Sequence, residues 1–166
     1  MKLVRHLAAA AVILAIAAAA FVALTHKPLA PAVPYTLLDG SKHSTENLRG
    51  QVVLVNFWAT SCVTCVKEMP ELIATHEKFQ SRGYETLAVA MSYDPPAYVV
   101  NFVETRKLPF LVTMDLDGSI ARSFGDVQLT PTSVLINKRG EVVKRYIGEP
   151  DFAELHALLD DLLAES

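Results

Sequence analysis

The stretch VVLVNFWATSCVTCVKEMP, residues 52–70, decides the fold of this 166-residue chain. Its first part, residues 52–57, is a nearly unbroken apolar run rich in β-branched residues, which favours a strand buried on both faces. After Cys65, residues that are apolar with the exception of His76 recur at helical spacing. Pro70 lies inside that pattern and predicts a kink, because proline has no N–H to donate to a helical hydrogen bond. The recurring positions are Val66, Met69, Leu72, Ile73, His76 and Phe79.

The remainder of the chain alternates between strand and helix patterns. Asp94, followed by two prolines, indicates the start of a helix that runs to Arg106, and Asp151 is expected to cap the last helix. We predict a single α/β domain with a central mixed sheet flanked by helices, mainly parallel, with one antiparallel hairpin at its end and a small N-terminal β extension. The other expected strands are 35–38, 85–91, 110–114, 132–137 and 141–147, and the other expected helical segments are 44–50 and 119–124.

The amino terminus has the layout of an export signal. Lys2 and Arg5 precede an apolar run at residues 7–24 that contains 18 residues, ten of them alanine. A helix of that length spans roughly 27 Å, enough to cross a bilayer core, although a cleaved signal peptide is the alternative. We therefore expect a signal-anchor or signal peptide at 1–27, a proline-rich linker at 28–34 and a domain at 35–166. The domain is expected to be periplasmic or otherwise extracytoplasmic, anchored to the inner membrane by residues 7–24.

The charge and the cysteine count exclude several classes of protein. Residues 1–27 hold three of the 15 basic residues and none of the 18 acidic ones, so the rest of the chain is clearly acidic. A phosphate backbone would repel such a body, which argues against a nucleic-acid partner. The two cysteines are too few for a disulfide-stapled small scaffold or a four-cysteine zinc site.

Cys62 and Cys65 lie where the predicted buried strand passes into a helix. Cysteines at this spacing can form a disulfide that opens without a change of fold, and the first sulfur faces the unpaired N–H groups of the helix, which favour a thiolate. Because the thiolate is the nucleophile in thiol–disulfide exchange, Cys62 is the expected attacking residue and Cys65 the resolving one. A static disulfide and half of a metal site remain alternatives from the residues alone.

Two separated blocks of sequence resemble the thioredoxin superfamily. The first is VLVNFWAT at 53–60 with SCVTC at 61–65 and KEMP at 67–70, and the second is LTPTSVLI at 129–136. Within the superfamily, the chain resembles the membrane-tethered TlpA, ResA and DsbE-like thiol-disulfide oxidoreductases. The resemblance extends over residues 35–164.

This resemblance implies a thioredoxin-like fold and a set of substrate-binding residues. Pro131 is expected to be in the cis form and to face the two cysteines. Thr130 is expected to offer its backbone to an incoming substrate strand. Trp58 is expected to pack beside the active-site turn and shield it, and we group it with Thr130 and Pro131 as substrate-binding.

Three positions depart from the usual pattern of the family. Asn56 stands where thioredoxin has a buried aspartate, Ser61 where relatives usually have tryptophan, and Thr64 where proline is frequent. Because Asn56 does not ionise, proton transfer to Cys65 needs another group. Glu68 matches an acidic residue of ResA-like relatives, and we therefore expect it to assist that transfer as a third catalytic residue; a solvated carboxylate is the alternative.

The sequence thus predicts an enzyme, a thiol-disulfide oxidoreductase of the cell envelope that reduces protein disulfides, with no metal and no cofactor. The resemblance implies a DsbD- or CcdA-like transmembrane electron donor and, as targets, apocytochrome c thiols, a copper-centre assembly protein or other exported cysteine proteins. Two alternatives remain open. The same two cysteines would suit a module that delivers Cu(I), and an oxidase that donates its disulfide would use the same motif in the opposite direction.

Overall fold

The computed structural model describes residues 14, 17 and 27–165, so the predicted anchor lies almost wholly outside the described residues. The strands are β1 (Pro34–Thr36), β2 (Lys42–Ser44), β3 (Val52–Trp58), β4 (Tyr84–Ala90), β5 (Leu111–Met114), β6 (Thr132–Ile136) and β7 (Val142–Ile147). The α-helices are α1 (Val63–Phe79), α2 (Pro96–Arg106), α3 (Ser119–Ser123) and α4 (Phe152–Ala164). None of the helices found in residues 27–165 has the length and apolarity that crossing a membrane requires.

The five-stranded sheet has the order β5-β4-β3-β6-β7. Strand β4 is parallel to both β3 and β5, whereas β6 is antiparallel to both β3 and β7. The predicted mixed sheet is confirmed, but it is not mainly parallel, because half of its strand pairings are antiparallel. The reason is that β6 begins beside the end of β3, where Thr132 pairs with Phe57, and so runs back along it.

Strand β3 lies at the centre of the sheet and is buried on both faces, as its apolar run predicts. Leu54 and Trp58 face a layer formed by α1, α2 and α4, while Val53, Val55 and Phe57 face α3 and the N-terminal hairpin. The strand therefore anchors the following turn, which carries the cysteines, between two apolar layers.

Helix α1 continues as one element through Pro70, where the sequence predicts a kink. Its buried stripe also differs from the predicted one, because Cys65 and Glu68 belong to it whereas Val66 and Ile73 are only partly buried. The stripe therefore begins at the second cysteine. The buried residues are Cys65, Glu68, Met69, Leu72, Thr75, His76 and Phe79.

The segment before β3 is part of the folded body from Pro28 onward. The N–H of Val142 donates to the carbonyl of Pro28 at 2.8 Å, and the N–H of Ala30 donates to that of Gly140 at the same distance. Strands β1 and β2 pair as a separate antiparallel hairpin, the expected N-terminal β extension. Residues 28–34, predicted as a linker, therefore pack against the domain, since a chain that pairs with the β6–β7 turn is held in place.

Candidate active site

Cys62 and Cys65 form a disulfide at the start of α1, with their Cα atoms 5.2 Å apart. Cys62 is the N-cap, with extended backbone, and its Sγ accepts a hydrogen bond of 3.2 Å from the N–H of Cys65. Cys62 is partly exposed, whereas Cys65 is fully buried. An incoming sulfur can therefore reach Cys62 from solvent, whereas Cys65 has no such access.

The helix N-terminus gives Cys62 a favourable electrostatic environment. The unpaired N–H groups of the first turn carry a partial positive charge, which favours a thiolate at this position once the disulfide is reduced. Val63, immediately after Cys62, is 83% exposed, so the first turn of α1 presents an apolar side chain to solvent beside the reactive sulfur. The arrangement suits exchange with a protein partner.

Glu68 lies in a buried polar cluster beneath the helix, one turn after Cys65. Its Oε1 accepts a hydrogen bond of 3.0 Å from Asn56 Nδ2, and the same amide donates to Ser133 Oγ at 2.9 Å. Glu68 and Asn56 are both 0% exposed. Glu68 Oε2 has no hydrogen-bond partner among the described residues. The solvated-carboxylate interpretation of Glu68 is therefore wrong, because the side chain lies between α1 and the sheet.

Burial raises the pKa of Glu68 from 4.5 to about 7. The hydrogen bond from Asn56 opposes this rise because it stabilises the carboxylate, and the negative charge of Glu149 adds to it. A carboxyl group with this pKa exchanges its proton near neutral pH, which is the property required of a general acid or base. Its catalytic assignment stays a prediction.

The second active-site segment is the turn that precedes β6. The Thr130–Pro131 peptide bond is cis, as the resemblance implies. Pro131 comes directly before Thr132, which pairs with Phe57 near the end of β3, so this turn and the cysteine turn lie at the same edge of the sheet. Thr130 is partly exposed and Pro131 is buried, so Thr130 is the residue of the pair that has surface at this edge, and its contact with a substrate stays a prediction.

Trp58 is the one predicted substrate-binding residue whose placement requires a correction. Its side chain is 0% exposed and packs against Phe102 of α2, with ring centroids 5.1 Å apart. Because the indole has no surface for contact with a substrate in this conformation, we remove it from the substrate-binding set. Trp58 packs in the same core cluster as Cys65, and its shielding role stays a prediction.

Asp94 and Tyr93 also contact the two active-site turns, although the sequence indicates Asp94 only as the start of a helix and gives no signal for Tyr93. Asp94 was expected to begin α2, but Pro95 is the N-cap, and the carboxylate of Asp94 accepts hydrogen bonds from Thr60 N–H at 2.6 Å and Thr60 Oγ1 at 2.5 Å. The hydroxyl of Tyr93 lies 3.2 Å from Thr130 Oγ1. The segment after β4 thus contacts both active-site turns. This segment follows β4, which is parallel to β3. Its place in the sequence therefore predicts that it lies at the same edge of the sheet as the cysteine turn.

Comparison with known proteins agrees with this geometry. The redoxin family matches residues 25–159. The thiol-disulfide oxidoreductase ResA of Bacillus thuringiensis subsp. konkukian is 36% identical over 130 residues, which cover 78% of this chain and 74% of that protein.

Two solved structures have the same fold. A protein of Neisseria meningitidis described as a thioredoxin is 41% identical, with a TM-score of 0.78 over 85% of this chain and 93% of that one. A thiol:disulfide interchange protein of the thioredoxin family from Chlorobium tepidum is 26% identical, with a TM-score of 0.77 over 84% of this chain and 99% of that one. The chain therefore belongs to the redoxin family, as a ResA- and DsbE-like thiol-disulfide oxidoreductase of the thioredoxin superfamily.

Proposed function

We propose that this oxidoreductase works as a reductase of protein disulfides in the cell envelope. The observation that carries the proposal is the asymmetry of the cysteine pair: Cys62 caps α1 and reaches the surface, while Cys65 is buried on the same helix stripe as Glu68, whose carboxyl group has a raised pKa. This arrangement gives one sulfur access to a target and the other a proton acceptor.

The first step is attack by the Cys62 thiolate on a sulfur of the target disulfide. The target S–S bond breaks, a mixed disulfide forms between Cys62 and the target, and the displaced target sulfur leaves as a thiolate that takes a proton from solvent. The partial positive charge at the helix terminus stabilises the attacking thiolate, and Thr130 lies at the edge where the target strand docks.

The second step releases the target. Cys65 gives its proton to the Glu68 carboxylate and attacks Cys62 Sγ, so the mixed disulfide breaks and the second target sulfur leaves reduced. The Cys62–Cys65 disulfide, the form that this structure holds, is the product. Two electrons have passed to the target. The cycle closes when a donor dithiol reduces the enzyme.

A location in the cell envelope determines which kind of electron donor the enzyme needs. The apolar run at residues 7–24, with Lys2 and Arg5 before it, supports an anchor that exports the domain across the inner membrane. Outside the cytoplasm a reductase needs electrons from across the membrane, and a DsbD- or CcdA-like transmembrane protein would supply them. The resemblance to TlpA-like proteins supports apocytochrome c, copper-centre assembly proteins or other exported cysteine proteins as the target classes.

A trapping experiment tests the order of attack. A Cys65→Ala variant keeps the nucleophile and lacks the resolving thiol, so it should accumulate mixed disulfides with exported proteins through Cys62. The matched control, Cys62→Ala, should accumulate none, because Cys65 is buried. Equal trapping by both variants, or by neither, would remove the proposed mechanism.

The reduction potential of the pair tests the direction. A value at or below about −230 mV would agree with a reductase, whereas a value near −120 mV would indicate a disulfide donor. Copper titration of the reduced protein addresses the remaining alternative. Tight stoichiometric binding of Cu(I) together with negligible exchange would favour a copper-delivery module over the reductase.

A further inference from the structure

The exposed apolar side chains of the domain are concentrated around the reactive cysteine. Among residues 27–165, seven large apolar side chains, tyrosines included, are more than half exposed. Leu29 lies where β7 begins, since it pairs with Glu141. The other six lie in the segments that follow β3, β4 and β5, precede β6 or end β7, and these segments form what we call the active-site edge of the sheet. The six are Val63, Tyr93, Tyr98, Leu116, Leu129 and Ile147.

In the parallel half of the sheet, the strand ends place Tyr93 and Leu116 at this edge. Ala90, the last residue of β4, pairs with Trp58 at the end of β3. It also pairs with Met114 at the end of β5. Tyr93 follows β4 by three residues, and Leu116 follows β5 by two. The two residues therefore lie in neighbouring segments at the same edge.

In the antiparallel half, Leu129 and Ile147 reach the same edge. Thr132, the first residue of β6, pairs with Ile147, the last residue of β7. The hydroxyl of Thr132 donates a hydrogen bond of 2.8 Å to the carbonyl of Leu129. Val63 follows Cys62 at the start of α1, beyond the end of β3. Every strand of the sheet thus contributes at least one of the six side chains, which we call the apolar row.

The apolar row crosses the whole sheet, and Cys62 lies near its middle. Neighbouring strands are about 4.8 Å apart, so the row extends about 19 Å from the end of β5 to the end of β7. Cys62 follows β3, the central strand of the sheet, which leaves about 10 Å to Leu116 on one side and to Ile147 on the other. An extended chain advances about 3.3 Å per residue, so residues three positions before and after a docked target cysteine are level with Leu116 and Ile147.

The segments at the active-site edge offer little charge to a partner. They hold no basic residue and four acidic ones, of which Asp94 and Asp115 are buried and accept hydrogen bonds from the N–H groups of neighbouring segments. Glu149 is paired with Lys67. A charged target residue would therefore find few partners here, whereas an apolar one would cover exposed apolar surface. The segments are 59–64, 91–98, 115–118, 127–131 and 147–150.

We propose that the apolar row is a docking surface for an extended target segment that is apolar on both sides of its cysteine. Leu116 and Ile147 are its outer specificity-determining residues. This inference rests on the proposed function and adds the class of target to it. Thiol–disulfide exchange brings a target sulfur to Cys62, so the row is continuous with the surface that every target must cover. Burial of the two outer side chains favours a target that extends along the row over a small disulfide, which cannot reach them.

The row contains two substitutions that separate docking from chemistry. Leu116→Ser and Ile147→Thr each remove one outer apolar side chain, and these side chains are 69% and 70% exposed, so neither change creates a cavity. The matched control is Leu29→Ser, because Leu29 is 60% exposed but lies at the opposite edge. Circular dichroism checks that all three variants are folded.

The experiment uses the reduced full chain in lipid nanodiscs and three substrates. Two are nine-residue peptides with a central cysteine, one with leucine and one with serine at the positions two and three residues away on both sides. The third is free cysteine. In each, the cysteine sulfur is disulfide-bonded to 2-nitro-5-thiobenzoate. Attack by the Cys62 thiolate on the cysteine sulfur releases the coloured thiolate, and its appearance gives the second-order rate constant.

The leucine peptide should react faster than the serine peptide with the unsubstituted protein. Leu116→Ser and Ile147→Thr should each slow the leucine peptide roughly fivefold, as expected for one partly buried apolar side chain, and leave the serine peptide and the cysteine substrate unchanged. Because the two positions are about 19 Å apart, their effects should multiply to roughly 25-fold in the double variant. Leu29→Ser should react like the unsubstituted protein.

Three results would overturn the docking surface and leave the proposed function intact. One is equal rates for the two peptides, and another is an equal loss in Leu29→Ser. The third is a rate constant for the cysteine substrate that falls as the enzyme concentration rises, which would mean that a second copy of the chain covers the row. Failure of the unsubstituted protein to react with any of the three substrates would overturn the proposed function instead.

Discussion

The side-chain amide of Asn56 donates a hydrogen bond of 3.0 Å to Glu68 Oε1 in the buried layer between β3 and α1. The position that carries an ionisable aspartate in thioredoxin thus holds a neutral donor here, and the ionisable group comes from the helix. The bond favours the ionised form of Glu68, so it partly offsets the cost of burying a carboxylate.

Loss of the Asn56 amide should raise the pKa of Glu68. In an Asn56→Ala variant the carboxylate loses its donor, so the pKa should move above the value of about 7. The free energy of unfolding at pH 8 should also fall, by about 1–3 kcal/mol, because a buried polar group loses its partner. Carboxyl titration and urea unfolding measure the two effects. Ser133→Ala removes the other partner of the amide and should leave the Glu68 titration nearly unchanged, and an equal shift in both variants would contradict this account.

Glu68 should make the protein less stable as the pH rises. Its pKa is about 7 in the folded protein against 4.5 in the unfolded chain, so between these values the folded state binds more protons than the unfolded state. The free energy of unfolding therefore falls across this range by about 3 kcal/mol and levels off above pH 7. Urea unfolding at several pH values, compared with Glu68→Gln, measures this contribution.

The comparison with Glu68→Gln is needed because two histidines act in the opposite direction. Burial lowers the pKa of His76 and of His156 below 6.5, so below that pH the unfolded chain binds more protons at these residues and stability rises with pH. The difference between the two proteins cancels the histidine contributions, which both share. A difference that stays constant from pH 4.5 to 8 would show that Glu68 titrates normally.

Much of the fold could be predicted because the local patterns are strong. The continuous apolar run of β3 and the spacing of the cysteines before α1 determine the centre of the molecule. The direction of β6 was less predictable, because it depends on where the chain returns after α3, and no local pattern records that path.

The buried cluster around Glu68 was only partly predictable for a related reason. Along the chain, Asn56 is 12 residues from Glu68 and 77 residues from Ser133, so the two hydrogen bonds depend on strand pairing. One local signal was available. Cys65, Glu68 and Leu72 share one stripe of α1, and a carboxyl group on a buried stripe is a candidate for a raised pKa.

The segment before β1 should contribute to stability, since its backbone pairs with the β6–β7 turn. A fragment that begins at Lys27 keeps the hydrogen bonds of Pro28 and Ala30, whereas one that begins at Val33 loses both. Each hydrogen bond contributes about 1 kcal/mol, so the free energy of unfolding should be about 2 kcal/mol lower for the shorter fragment. Urea unfolding of the two fragments tests this value, and equal midpoints would mean that residues 27–32 add no stability.

The Asp94 carboxylate should hold the turn that leads to Cys62. It is 4% exposed and accepts both hydrogen bonds from Thr60, so Asp94→Asn should lower the free energy of unfolding by about 1.5–3 kcal/mol, the range for bonds to a charged group. Thr60→Val removes the hydrogen bond of the hydroxyl and keeps that of the N–H, so the free energy of unfolding should fall less than in Asp94→Asn. Calorimetry or urea unfolding ranks the two variants, and a larger loss in Thr60→Val would reverse the argument.

Tyr93 should affect protein substrates and leave small ones unaffected. It is 58% exposed, so Tyr93→Phe should change the free energy of unfolding by less than about 0.5 kcal/mol. Without the hydrogen bond to Thr130 Oγ1, the proposed substrate-binding turn is less firmly held. The KM for a protein disulfide should rise roughly two- to tenfold, the equivalent of one hydrogen bond, while kcat and the rate with dithiothreitol stay the same.

A double-mutant cycle distinguishes this hydrogen bond from a direct contact of Tyr93 with the substrate. Thr130→Val removes the same bond from the other side, so it should raise KM by a similar factor, and the double variant should add nothing further because the bond is already lost. If the two effects multiply, Tyr93 and Thr130 act independently on the substrate. If the reaction with dithiothreitol is slowed as much as the reaction with the protein substrate, the substitutions impair the cysteine chemistry and not substrate docking.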